Sequence, residues 1–468
     1  MTVNYADLLA RYPRTEGEAL RETIAARLRE NRVRMVVIDD DPTGIQTVHG
    51  CLLLTDFSSD SVAAALDDET PFFYMLANSR ALTEADACRI VREAVEAVLA
   101  ANRTRHYNLL FVCRSDSTLR GHFPAEPDTM GEVLREQGLV PAMPLLFVPS
   151  FFEAGRMTVE GVHYMQQSEQ LIPVNETEFA NDNVFGYRNA RLTEYIVEKG
   201  RGSIAPGEVA QIDLPTLRAA DPEALAERLR HCAGKRCVAV DSFDYADLRK
   251  LSLAVLSLFD GAAGDRVAVI RSSSSLPKAL SGIEERPYVC AAAAGSRGVV
   301  VVGSHVKKST EQLNRLLEAE GVDGIEIDVQ RILDGDASLQ AELLERAASI
   351  HTAGRIPVFY TSRREVRCDD AARRQALGGM ISRFLVELVQ ALPFRPDFLV
   401  SKGGITSHDI LTHSLGVRVA RVEGQVAAGI PTIRTGADDR FPDLLYVIFP
   451  GNVGSADSLR EVVERLRG

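Results

Sequence analysis

Three stretches in the first half of the chain gather acids, arginines and hydroxyls at densities that suit chemistry. "VVIDDDPTGIQT" (36–47) ends an apolar run in Asp39, Asp40 and Asp41 and follows them with Pro42, Thr43 and Gly44. "CRSDSTLRGHFPAE" (113–126) supplies Arg114, Asp116, Ser117, Thr118 and Arg120, and "PSFFEAGRMTVEGVHYM" (149–165) supplies Glu153, Gly155 and Arg156. Consecutive carboxylates repel and raise one another's pKa unless something compensates them. Mg²⁺, a substrate hydroxyl or a proton being removed would each do so. Arginine forks match a carboxylate, so the second and third stretches suit a small polyhydroxylated acid. Simpler readings are a turn built on Asp and Pro, and a helix N-cap followed by surface arginines. "NETEFANDN" (175–183) reads as a polar lid or as a solvated loop.

The second half carries glycine turns after apolar strands. In "DFLVSKGGITSHDILTHSLG" (397–416), Lys402, Gly403 and Gly404 precede a helix expected to start near Thr406 or Ser407. Glycines that free backbone amides before a helix can cradle phosphate, and a plain turn with a serine cap is the alternative. "VVVVGSHVKKST" adds Gly303, Ser304 and Lys307, and "FPGNVGSADSL" adds Gly451, Asn452 and Gly454. Three such turns together favour a nucleotide site. Neither a GxxxxGK[ST] loop nor a GxGxxG fingerprint is present. His408 and His413 lie five apart, a poor ligand spacing, so a metal here is expected to be Mg²⁺ held by phosphate and carboxylate oxygens.

Along the same half of the chain, apolar runs alternate with helical spacing: "RVRMVVIDDD", "VHGCLLLTDF", "FFYMLANS", "YNLLFVCRSD" and "PLLFVPS" as strands, "SSDSVAAALDDE" and "LTEADACRIVREAVEAVLAA" as helices. That alternation predicts βαβ units and a mainly parallel sheet, with ligands beyond the carboxyl ends of the strands. Residues 155–190 read as irregular. The 468 residues suggest two domains. We expect an α/β fold of two domains with mainly parallel sheets facing a central cleft: residues 1–286, with a helical extension over 1–32, and residues 298–468. A net charge of −12 argues against nucleic acid or an anionic membrane as partner. Seven scattered cysteines, without a CxxC pair, fit reduced thiols. The polar, periodic N-terminus and the short apolar runs predict a cytoplasmic protein.

Two resemblances follow from these residues. Asp39, Asp41 and Thr43 fit the strand-then-DxDxT pattern of haloacid-dehalogenase-like, Mg-dependent phosphatases, in which the first aspartate is a nucleophile, with Asp438 and Asp439 as the only weak candidates for the later acidic pair. The ordered set "IDDDPTG", "RSDSTLRGHFPAE", "PSFFEAGR", "GSHVKKST", "SKGGITSHDI" and "PGNVGSAD" resembles the four-carbon acid sugar kinase family from about residue 35 to 460. This second resemblance implies an N-terminal domain for a tetronate-type sugar acid, a C-terminal domain for ATP with Mg²⁺, and transfer of the γ-phosphate to a substrate hydroxyl. It implies acceptor-side roles for Asp40, Asp41, Thr43 and Gly44 and for the 116–121 segment, and nucleotide roles for Ser304, Gly403, Gly404, Thr406 and Gly454, joined by Gly451 and Asn452.

On that basis Asp41 or Asp116 is expected to accept the hydroxyl proton. Arg114, Arg120 and Arg156 are expected to bind the carboxylate or the transferring phosphoryl group, with Ser117, Thr118 and Glu153 around them. Closure about residues 287–297 is also expected, and a homodimer is compatible with this reading. The chain departs from the family at Pro42 (usually Leu), Arg114 (Lys), Ile405 (Glu), and Phe449 and Pro450 (a Lys-Ser pair). A sugar-acid-binding protein without turnover would tolerate those departures.

Overall fold

The structure is a computed structural model that describes residues 2–290, 295–304, 306–363, 371–451 and 453–468. The chain divides into two units, Met1–Glu285 and Arg286–Gly468. Both are α/β. Among the described residues no helix is long and apolar enough to cross a membrane, and none of the six described cysteines is in a disulfide.

The first unit is built on eight parallel strands in the order Val209–Ile212, Cys237–Val240, Leu145–Val148, Val267–Ser272, Asn108–Arg114, Val33–Asp39, Phe72–Leu76 and Leu52–Leu54. The central strands are near-continuous apolar runs because helices cover both faces of a parallel sheet. Within Val33–Asp39 only Arg34 is not buried. Glu84–Asn102 forms because Thr83 caps the Asp86 amide and Ala87, Val91, Ala94, Val95 and Val98 return on one face. Burying each of those valines stabilises the fold by about 1.5–3 kcal/mol.

Residues 155–190 are more regular than the sequence suggests. Arg156–Val159, Val162–Gln167 and Gln170–Pro173 form antiparallel hairpins, joined at the edge by Val3–Asn4. The intervening polar residues hide these strands because their pattern is short and one hairpin turn is only Glu160-Gly161, both at positive φ. Of the "NETEFANDN" stretch, Val174–Glu176 and Glu178–Asn181 are short 3₁₀ turns.

The second unit has the strand order Val419–Ala427, Ile430–Arg434, Leu445–Phe449, Phe398–Lys402, Gly298–Val302, Ile356–Thr361 and Val322–Ile327. The last five are mutually parallel and the first two form an antiparallel hairpin packed beside them. Val300, Val302, Val358, Val400 and Val447 meet Leu313, Leu316, Leu459 and Val462 from two helices in one core. The helix after Lys402 begins at Gly404, not at Thr406 or Ser407, and after Asp409 passes into a π-helical turn, Ile410–Ser414. Gly403 at φ +113 turns the chain tightly enough for the helix to start at once.

Candidate functional site

Strand register fixes the first cluster. Asp39 is paired with Arg114, and Arg114 with Ser272, so the last residues of three adjacent strands share one rank at the carboxyl edge of the sheet. Beyond them lie Asp40, Asp41, Ser115, Asp116 and the Ser273–Ser275 run. The cluster is almost entirely charged or hydroxylated.

Asp39 is its floor. It is 1% exposed, accepts Arg114 Nη1 at 3.1 Å and the Asp41 amide at 3.1 Å, and burial, reinforced by the neighbouring aspartates, pushes its pKa up to about 7. A Cβ on Gly44 would stand 1.7 Å from Asp39 Oδ2, so only glycine lets the 42–44 turn cover this carboxyl. Asp40, 2% exposed, takes Arg80 Nη2 at 2.7 Å and Arg80 Nε at 3.2 Å, and also bonds Ser115 Oγ. Asp41 is the accessible member: its side chain is 23% exposed, 3.2 Å from Arg80. It accepts Thr43 N at 2.8 Å and Thr43 Oγ1 at 2.5 Å. Burial opposes its ionisation, but Arg80, Arg114 and Thr43 outweigh that and hold it below the usual range.

Asp116 accepts Arg120 Nε at 2.7 Å and bonds Thr118 Oγ1. Despite burial, Arg80 and Arg120 hold its carboxyl well below the usual carboxylate range. Arg120 lies 4.9 Å from the Phe179 ring centre and 3.9 Å from Asp182, so the "NETEFANDN" segment packs on this arginine. The 116–121 loop is clamped from outside. His163 Nε2 lies 2.8 Å from the Ser117 carbonyl, Tyr187 Oη donates to Thr118 O at 2.7 Å, and Tyr195 Oη donates to Leu119 O at 2.7 Å. Burial drops His163 to about 4, so it is neutral at pH 7. The clamp supports Leu119 at φ +66, an uncommon backbone for a non-glycine residue. Beneath, Arg271 pairs with Glu126 at 2.9 Å. A Cβ on Gly121 would come within 2.5 Å of Ser115 Oγ and 2.9 Å of Arg271 Nη2.

Arg156 differs from the other arginines. It donates to the Ala154 carbonyl at 2.8 Å and lies 3.6 Å from Met165 Sδ, its Nε is buried without a partner, and no carboxylate is bonded to it among the described residues. Burial lowers its pKa, and it feels the charges of Asp116 and Arg120. Glu153 is turned elsewhere, to Tyr245 Oη at 2.6 Å, Lys278 Nζ at 3.1 Å and Ser275 Oγ at 3.3 Å. The expectation that Arg114 and Arg120 face a ligand carboxylate meets a different arrangement, since both are engaged by Asp39 and Asp116.

Two contributors escaped the sequence reading. Arg80, on the turn after Asn78 (φ +47), bridges Asp40 and Asp41 across 40 and 39 positions of chain. Ser274 receives Arg114 Nη2 at 2.8 Å and Gln46 Nε2 at 3.2 Å. The four-serine run was a signal in the sequence, but nothing local ties it to the aspartates.

In the second unit, Tyr360, Val302, Lys402 and Phe449 are successive register partners at the carboxyl edge. Around them converge Ser304, Gly403 and Thr406. A Cβ on Gly303 would be 2.2 Å from Thr406 Oγ1, and one on Gly403 would be 3.3 Å from Ser304 Cβ. Gly404 opens the helix and Ile405 beside it is 67% exposed. Gln312 Nε2 pins the turn containing Gly451 and Gly454 through the carbonyls of Val453 at 3.0 Å and Ser455 at 2.7 Å. Asn452 lies outside the described residues. Phe449, where the resemblance leads one to expect lysine, is fully buried, and the Lys402 ammonium lies 4.4 Å from its ring centre. Asp439, the acid proposed for a phosphatase, accepts the Gly436 amide at 2.6 Å in a local turn.

Residues 35–280 match a family model described as a sugar-binding N-terminal domain, and residues 299–459 one described as a nucleotide-binding C-terminal domain. The chain is 28% identical over 395 residues to the D-threonate kinase of Bordetella bronchiseptica, covering 83% of this chain and 85% of that protein. It is 27% identical over 264 residues to the D-erythronate kinase of Heliobacterium modesticaldum, covering 55% and 53%. In fold it is similar to a solved protein of Haemophilus influenzae (TM-score 0.66, 16% identity, 92% of this chain and 100% of that one) and to one of Salmonella typhimurium LT2 (TM-score 0.65, 15% identity, 92% and 98%). The two matched domains take in both clusters and nearly all of the chain, and on that evidence the chain belongs to the four-carbon acid sugar kinase family.

Proposed function

We propose that this protein transfers the γ-phosphate of ATP to a hydroxyl of a four-carbon sugar acid. The observation that carries the reading is the contrast inside the first cluster: Asp41 and Asp116 are partly open and ionised, while Arg156, which feels the charge of Asp116, has no carboxylate bonded to it among the described residues. A small acid rich in hydroxyls supplies both missing partners. Its carboxylate answers Arg156, and a hydroxyl donates to Asp41.

Asp41 is the group proposed to orient that hydroxyl and take its proton. It is the most exposed aspartate of the DDD run, and Thr43 and Arg80 fix its position. A carboxylate with a low pKa is an adequate acceptor here, because phosphoryl transfer depends mainly on alignment and charge neutralisation and the proton leaves late. Asp116, held lower still by Arg80 and Arg120, stays ionised and is suited to accept a hydrogen bond from a second hydroxyl without taking its proton. Asp39 is an unsuitable nucleophile, being capped by Gly44 and bonded to Arg114, and this weighs against the phosphatase reading.

ATP fits the second unit through Ser304, Gly403 and Thr406. Among the described residues no three His, Cys, Asp or Glu side chains are grouped to hold a metal. Mg²⁺ is proposed to arrive on the nucleotide phosphates and to neutralise them.

Purified protein with Mg²⁺-ATP and D-threonate, D-erythronate or their 3-oxo relatives should release ADP only when an acid is present. Phosphate release from a phosphorylated acid without nucleotide would overturn the kinase reading. Ligand-induced stabilisation without ADP release would leave a binding protein.

A further inference from the structure

Two cations in the second unit make no ion pair with an acid among the described residues. Lys402 is fully buried at the end of its strand, and its ammonium donates to the carbonyls of Pro450 at 2.5 Å and Gly451 at 3.0 Å. Arg363, just past Ile356–Thr361, donates through Nη1 to Ser304 O at 2.6 Å and through Nη2 to Val302 O at 3.3 Å, and its Nε is buried without a partner. Neither makes an ion pair among the described residues. Val302 is the register partner of both Lys402 and Tyr360, so the two cations flank the Gly303-Ser304 turn from adjacent strands.

A cation bonded only to neutral carbonyls in a buried place is costly to keep, since each charge removed from water needs an opposite charge for full compensation. Carbonyl oxygens also orient the side chain while leaving its net charge intact. Burial lowers the pKa of Lys402 to about 7, with Lys308 adding to the effect, and burial lowers that of Arg363. An anion arriving at the turn would restore both.

We infer that Lys402 and Arg363 form a two-sided clamp for the polyphosphate of a nucleoside triphosphate. The inference rests on the kinase reading for the nucleotide but not for the clamp itself, which requires only a polyphosphate. Lys402 acts as a positioning residue in the absence of phosphate, holding the Pro450-Gly451 turn through its carbonyls. With phosphate bound, its third N–H is directed at an oxygen of the chain. Arg363 holds Ser304 on the opposite side in the same manner.

The test is calorimetric titration of the full chain and of its Lys402→Met and Arg363→Gln variants with ATP, adenosine and inorganic tripolyphosphate. Each variant is expected to lose roughly tenfold or more in affinity for ATP and tripolyphosphate, the scale of one hydrogen bond to a charged group, with adenosine binding unchanged. Arg363→Gln, at a half-buried position, keeps the test valid should Lys402→Met fold poorly. Equal affinity of wild type and variants for tripolyphosphate and ATP would overturn the clamp while leaving the kinase reading in place. Tripolyphosphate binding lost in the variants, together with no ADP release from any sugar acid by wild type, would support the clamp and reject the kinase reading.

Discussion

At the carboxyl edge of the first unit, four aspartates interlock with Arg80, Arg114 and Arg120, and Arg156 makes no ion pair among the described residues. At the corresponding edge of the second unit, Lys402 and Arg363 meet carbonyl oxygens and no acid among the described residues. The first edge is nearly neutral and rich in acceptors, suited to sorting hydroxyls with one carboxylate to anchor them. The second carries uncompensated positive charge, suited to a polyanion. In a buried setting the balance of formal charge indicates ligand class more directly than the count of charged residues, because an internal pair is already satisfied.

The largest expected effect bears on the first edge. Asp41→Asn should lower turnover roughly 10²- to 10⁴-fold, the usual weight of a proton-transfer group, with ATP affinity unchanged in titration. If ATP binding falls instead, the division of labour between the edges fails.

Arg80→Met should destabilise the fold by about 3 kcal/mol or more in urea unfolding, because it leaves Asp40 buried beside Ser115 and the more distant Arg114. Lys402→Met is the matched substitution on the other edge. It should leave urea stability unchanged or raised, since the charge it removes has no acid partner among the described residues. Equal losses from both would erase the contrast.

Arg156→Met should raise KM for the sugar acid roughly tenfold or more, the scale of a charged hydrogen bond, with kcat reduced less. A change in KM for ATP alone would place the anchor elsewhere.

The smallest effects are in pH. Asp39 has its folded pKa raised to about 7, so the folded state holds a proton that the unfolded chain has released. Stability therefore falls as pH rises from about 4 to about 7, and Asp39→Asn should flatten that slope. Lys402 is depressed from 10.5 to about 7, so the unfolded chain binds the extra proton between these values. Stability then rises with pH from about 7 to 10.5, and Lys402→Met should remove that rise. Thermal midpoints across pH 4 to 10.5 would read both slopes, which run in opposite directions.

The alternation of β-branched runs with amphipathic segments was enough to read two α/β units and to place Asp39–Asp41 and the glycine turns at strand ends. The strand-then-acid pattern is local and survives any tertiary arrangement. The hairpins within 155–190 were illegible because their strands are short and partly polar. The early helix start at Gly404 was hidden because Gly403 supplies a backbone angle that residue type permits but does not dictate.

Residue types and spacing alone set which residues stand at strand ends and the ordered motifs of a sugar acid kinase. Which charges cancel was settled by the folded sheet. Arg114 and Arg120 look as free as Arg156 along the chain, yet strand register gives the first to Asp39 and a tight loop gives the second to Asp116. Arg80 gains its place from Phe72–Leu76, a strand remote in sequence but paired with that of the aspartates, and Lys402 changes from a residue of a glycine turn into a buried cation because Phe449 and the Pro450 carbonyl lie on the neighbouring strand and the turn after it. Ion pairing and desolvation depend on distances between segments remote in sequence, and those distances exist only once the sheet is formed.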